Sequence, residues 1–242
     1  MSVILQCVPT GLLALLLFLL VRRRAYELYP CFMTYVAFGV AADSARFFAL
    51  GHPRPYYWTY WITEAGYDTL GILVMYEVFR AVLRSLIHNW WARLIFPSVL
   101  IVGIVLSLGR DHSSPSQFGH GLGFYIVAGE IAVRFVQVIM FAGLVTSVPL
   151  LGLRWRQYPF GIAAGFGVYS TVALLMTTKF SDFGTRFTFL WGWTLLVAYS
   201  VAVLIWIWFF SVPQKTDTPS SRLSAPSPGV LKQYIDVLRR MR

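Results

Sequence analysis

An all-α, polytopic bundle of seven transmembrane helices is the fold class that this 242-residue sequence predicts, and three observations predict it. Hydrophobic residues make up 57% of the chain and charged ones 12%, and apolar runs long enough to cross roughly 30 Å of hydrocarbon recur from end to end. The basic residues are distributed unevenly between alternate connections, with fourteen of the twenty on one side. Because Lys and Arg are retained in cytoplasmic loops, this bias puts the N-terminus outside and the C-terminus inside. Finally, the nine tryptophans fall at predicted helix ends, with Trp58, Trp61, Trp191 and Trp193 on the outer side and Trp90, Trp91, Trp155, Trp206 and Trp208 on the inner one. Tryptophan prefers the headgroup level, so charge and aromatic placement agree on one layout.

The first helix is expected over residues 3–21, a Leu-rich run closed by Arg22, Arg23 and Arg24. Those arginines follow the apolar run instead of preceding it, so the segment reads as a retained helix and not as a cleaved signal peptide. The second, 30–50, opens on Pro30, which suits a first helical turn. The third, 57–80, starts in the aromatic cluster around Trp58 and ends at Arg80. The fourth and fifth are expected over 91–108 and 122–151. The sixth, 160–176, carries Gly161 and Gly165 in a GxxxG spacing that permits close helix packing, within the bundle or as a homodimer seam. The seventh spans 187–212. Short connections make residues 1–212 one domain.

Past residue 212 the composition turns polar and rich in Pro and Ser, so 213–229 reads as a disordered cytoplasmic linker. In 230–242, Val230, Leu231, Tyr234, Leu238 and Met241 recur at helical spacing opposite Lys232, Asp236, Arg239 and Arg240. Such a basic amphipathic helix suits anionic lipid headgroups, with docking to a protein partner as the alternative. The net charge of +10 is accounted for by these lipid-facing basic residues, which removes the reason to invoke nucleic acid. Cys7 and Cys31 belong at opposite membrane faces, too far apart for a disulfide.

Charges inside the apolar segments carry the functional argument, because placing them in lipid is expensive unless they are paired or used. They are Asp43, Arg46, Glu64, Asp68, Glu130 and Arg134. At about 1.5 Å of rise per residue, Asp43, Glu64 and Glu130 lie roughly 10 Å below the outer surface, and Asp68 and Arg134 near the midplane. Asp43 with Arg46, and Glu130 with Arg134, have the spacing of self-neutralising pairs on one helix face. Glu64 and Asp68, one turn apart on the third helix and flanked by Tyr60 and Tyr67, are left without an obvious partner. Two neighbouring carboxylates in a low-dielectric setting suit a proton relay, a cation site or a polar ligand pocket. The expected polar cavity therefore consists of Asp43, Tyr60, Glu64, Tyr67, Asp68, Glu130 and Arg134, opening to the outer face. Glu77 is turned away from Glu64 and is expected to pair with Arg80 at the inner interface.

Several chemistries lack their residues. The seventh segment holds no lysine for a retinal Schiff base, and His52, His88, His112 and His120 fall in loops or at helix ends, where they cannot serve haem as axial ligands. Asp111, His112 and His120 share a loop rich in Ser and Gly and read as solvated, not as a metal site. Asp43 and Asp68 invite comparison with intramembrane aspartyl proteases, but the glycine-flanked motif is missing, and no GxSxG, HExxH or phosphate-binding glycine loop is present. No catalytic residue, cofactor or metal is expected. The run Tyr57-Trp58-Thr59-Tyr60-Trp61-Ile62-Thr63-Glu64, followed by Leu70-Gly71 and Tyr76-Glu77-Val78-Phe79-Arg80, with Tyr29-Pro30 before it, resembles a pattern in bacterial seven-helix integral membrane proteins of uncharacterised activity. The resemblance implies a bacterial inner-membrane location. These features favour a non-enzymatic ligand-binding or sensory bundle, with a proton- or cation-coupled carrier and a structural assembly subunit as alternatives.

Overall fold

Local sequence sets where each helix begins and ends in the computed structural model, which describes residues 3–82, 90–111, 122–151, 158–183 and 188–212. These hold seven α-helices and one short 3-10 turn. They are α1 (Val3–Arg22), α2 (Pro30–Ala49), α3 (Pro53–Val82), α4 (Trp90–Asp111), α5 (Leu122–Leu151), α6 (Tyr158–Phe183) and α7 (Thr188–Ser211). The end of α1 is fixed by its arginines: Arg24 adopts a left-handed conformation with φ 52°, and Arg23 donates to the Ser211 carbonyl at 2.9 Å. A guanidinium there also complements the negative end of the α7 dipole. Pro30 and Pro53 open α2 and α3, where a missing N–H costs nothing. Helix α3 therefore starts four residues before the expected position, and α6 runs on past Met176 because Thr, Lys and Ser lower hydropathy without breaking a helix.

Among the described residues, α5, α6 and α7 each contain a stretch long and apolar enough to cross a membrane: Gly129–Thr146, Tyr158–Met176 and Gly192–Ser211. Shorter apolar stretches occupy α1 and α4. The expected linker and amphipathic helix, the loop histidines 112 and 120, and Trp155 lie outside the described residues.

Helix neighbours form a ring in the order α1, α2, α3, α5, α6, α7 and back to α1, with α4 outside it against α5. Phe96 of α4 also reaches Tyr76 and Phe79 of α3. One half of the ring is a tight apolar core, drawn from the C-terminal parts of α1, α3, α5 and α7 and the N-terminal parts of α2 and α6. Its centre is aromatic: Phe32 lies edge-on to Trp206 at 5.2 Å and stacks on Phe210, which stacks in turn on Tyr158 at 4.6 Å. Trp206, expected at a membrane interface, is instead 1% exposed and donates its indole N–H to the Ile162 carbonyl at 3.1 Å. A buried indole needs such a partner, and α6 supplies it because Gly161 and Gly165 face α7. A Cβ on Gly161 would overlap Phe209, and one on Gly165 would overlap Trp206. The GxxxG stripe thus packs within the chain.

Glu77 also belongs to the packed half. Its two carboxylate oxygens accept the backbone N–H groups of Cys31 and Phe32, each at 3.0 Å, in place of the expected pair with Arg80. Those N–H groups, in the first turn of α2, have no acceptor inside their own helix, and a carboxylate there also meets the positive end of the dipole.

Candidate functional site

The other half of the ring encloses a cavity of about 650 Å³, lined from α1, α2, α3, α5, α6 and α7. Its floor is the boundary with the apolar core, where Tyr35 and Phe166 meet edge-on at 5.0 Å and both pack against Trp206. Gln137 stands beside that floor, hydrogen-bonded to the buried Ser170 hydroxyl, and Gly71 of α3 leaves space for its amide at 3.0 Å from where a Cβ would sit. Gly39 of α2 similarly admits Tyr67, whose hydroxyl comes within 3.4 Å of the Gly39 carbonyl.

Five of the seven residues expected in a polar cavity line this one: Asp43, Glu64, Tyr67, Asp68 and Arg134. Tyr60 and Glu130 do not. Tyr60 is 37% exposed, with its ring 4.9 Å from the Arg46 guanidinium. Glu130 forms its expected one-turn ion pair with Arg134 on α5, where its carboxylate accepts from the guanidinium. The Arg134 guanidinium also lies over the Tyr169 ring at 4.8 Å.

The expected pairing of Asp43 with Arg46 within α2 does not form. Arg46 reaches across to α3, where its Nη2 meets Glu64 Oε1 at 2.9 Å and its Nε donates to Thr63 Oγ1 at 2.7 Å. Thr63 passes the interaction on by donating to the Thr59 carbonyl at 2.7 Å. Asp43 turns the other way and accepts a 2.9 Å hydrogen bond from Thr10 of α1. Two carboxylates on the cavity wall, Asp43 and Asp68, are consequently left without a salt bridge among the described residues. Both arginines are already matched, by Glu64 and Glu130.

Tyr35, Gln137, Phe166, Tyr169 and Tyr199 also line the cavity and were not expected there. Gln137 could have been found, since it follows Arg134 by one turn on the Glu130 face. The tyrosines of α6 and α7 carry no such signal, because an aromatic in an apolar run reads as core. Every exposed lining residue belongs to α1 or to the end of α2 and the residue following it: Gly11, Ala14, Ser44, Phe47, Phe48 and Leu50. The mouth is therefore on that side.

Among the described residues no group of three or more His, Cys, Asp or Glu side chains could hold a metal ion, and Cys31 is a free thiol. No family model matches the chain, and neither the curated proteins nor the solved structures contain a match.

Proposed function

We propose that this chain is a multi-pass integral membrane protein, all seven helices crossing the bilayer with the N-terminus outside and the C-terminus cytoplasmic, and that it works as a non-enzymatic ligand-binding or sensory bundle. The single observation that carries the binding role is the 650 Å³ cavity with charged and phenolic groups drawn from several helices. That volume lies within the roughly 300–1,000 Å³ of small-molecule pockets, and an aromatic wall with a few converging polar groups is their usual chemistry. The membrane setting is supported by the three long apolar helices and by large apolar side chains exposed around the ring, among them Phe18, Phe48, Ile62, Leu175 and Trp208. Water would penalise such a surface, whereas lipid solvates it. The resemblance of the third helix supports a bacterial inner membrane, and the basic loops support the orientation.

A carrier would need a path past the cavity floor, and there Phe32, Tyr35, Phe166 and Trp206 are packed ring against ring. Native mass spectrometry of the protein released gently from membranes tests the proposal. A stoichiometric small molecule retained by the wild type and lost from Asp68→Asn is the expected result. A bare chain with a copurifying polypeptide contradicts it and favours an assembly subunit. A reporter fused after Arg242 tests orientation, with activity in the cytoplasm expected and activity outside contradicting it.

A further inference from the structure

The cavity wall is imbalanced in a way that names a ligand class. Its cationic side chains, Arg46 and Arg134, are each engaged by a carboxylate, Glu64 and Glu130. Asp43 is held by neutral hydroxyls, with Thr10 donating to it at 2.9 Å, and it has no salt bridge among the described residues; neither a hydrogen bond nor an ion pair is found for Asp68 among them. Both side chains border the open volume. An ionised carboxylate in a poorly solvated site calls for a cation. A second observation concerns the aromatic groups around the same volume. Tyr67 and Tyr169 already hold guanidinium groups against their ring faces, at 5.6 and 4.8 Å, so the site is built to solvate positive charge. Among the described residues, the rings of Tyr35 and Phe166 on the floor and of Tyr199 on α7 carry no such cation. A third observation is the mouth, where the exposed Phe47, Phe48 and Leu50 give an apolar rim to a polar interior.

Resting on the ligand-binding reading above, we infer that the occupant is an amphipathic organic cation, its ammonium group set between Asp68 and Asp43 against the free aromatic rings, and its apolar part directed to the rim formed by α1 and the end of α2. An inorganic cation would leave that rim and the aromatic floor unused. An anion would meet two carboxylates and no free guanidinium.

Three probes with one apolar skeleton test this on the full chain in phosphatidylcholine nanodiscs: 4-phenylbutylammonium, 4-phenylbutanol and 4-phenylbutyrate. Equilibrium dialysis against empty nanodiscs removes the share that merely partitions into lipid. Saturable binding of the ammonium at least tenfold tighter than of the alcohol, with the butyrate weakest, is the expected ranking, and it needs no variant. Asp68→Asn is expected to weaken ammonium binding at least tenfold while leaving the alcohol unchanged, and Asp43→Asn gives the same readout should the first variant fail to fold. Alcohol or butyrate bound as tightly as the ammonium would overturn the cationic inference and leave a binding cavity standing. No saturable binding of any probe would overturn both.

Discussion

The two halves of the helix ring are built from the same helices and solve opposite problems. In the half around Trp206, polar atoms are few and matched: the indole N–H by Ile162, the first N–H groups of α2 by Glu77, and the close approach of α6 to α7 by glycine. In the half around Asp68, Arg46 and Arg134 are matched but two carboxylates have no salt bridge among the described residues, and about 650 Å³ stays open instead of filling with side chains. Protein interiors close-pack wherever stability alone decides, so the open half points to a use other than stability. The packed half holds the helices in place, and the open half tolerates carboxyl groups without a salt bridge because the packed half does so.

Substitutions sharpen this contrast in descending order of effect. Gly165→Leu drives a side chain into Trp206, and because the indole cannot move without losing its hydrogen bond, the cost should exceed the roughly 1–3 kcal/mol of ordinary overpacking. The expected outcome is little monodisperse protein on size-exclusion chromatography; a normal yield would mean that the α6–α7 seam is not the anchor. Glu64→Gln strands the Arg46 charge. The pair is only partly exposed, so the loss should fall between about 1 kcal/mol for a surface pair and about 3–5 kcal/mol for a buried one. Thermal unfolding should show it, with Arg46→Gln added to Glu64→Gln recovering part of the loss; no recovery would break the assigned pair. Glu77→Ala removes the acceptor for two first-turn N–H groups and should cost about 0.5–2 kcal/mol, as lost helix caps do. Asp68→Asn belongs at the bottom of the series, with no loss or a gain.

The helices were legible in the sequence because hydropathy is a property of composition, insensitive to how helices pack. Seven helices were legible with ends shifted by a few residues, as at Pro53. Partner choice was less legible. Arg46 has Asp43 one turn away, yet a long side chain on α2 also reaches α3, and Thr63 with Glu64 offers two acceptors against one. Glu130 and Arg134 paired as spacing suggests, since α5 presents no nearer competitor. The role of Glu77 depends on α2 beginning beside it, and that is decided by tertiary packing alone. Trp206 shows the same limit, because an interfacial tryptophan and a hydrogen-bonded core tryptophan sit at identical sequence depth.

The division between the halves is tested most directly by the melting temperature of Asp68→Asn in phosphatidylcholine nanodiscs, measured without added ligand beside the wild type. If Asp68 serves a ligand, replacing its carboxyl group by an amide leaves the melting temperature unchanged or raises it, since functional polar groups are commonly held at a cost in stability. A fall as large as that of Glu64→Gln would show that Asp68 braces the bundle, and the contrast between an open, functional half and a packed, structural half would be lost.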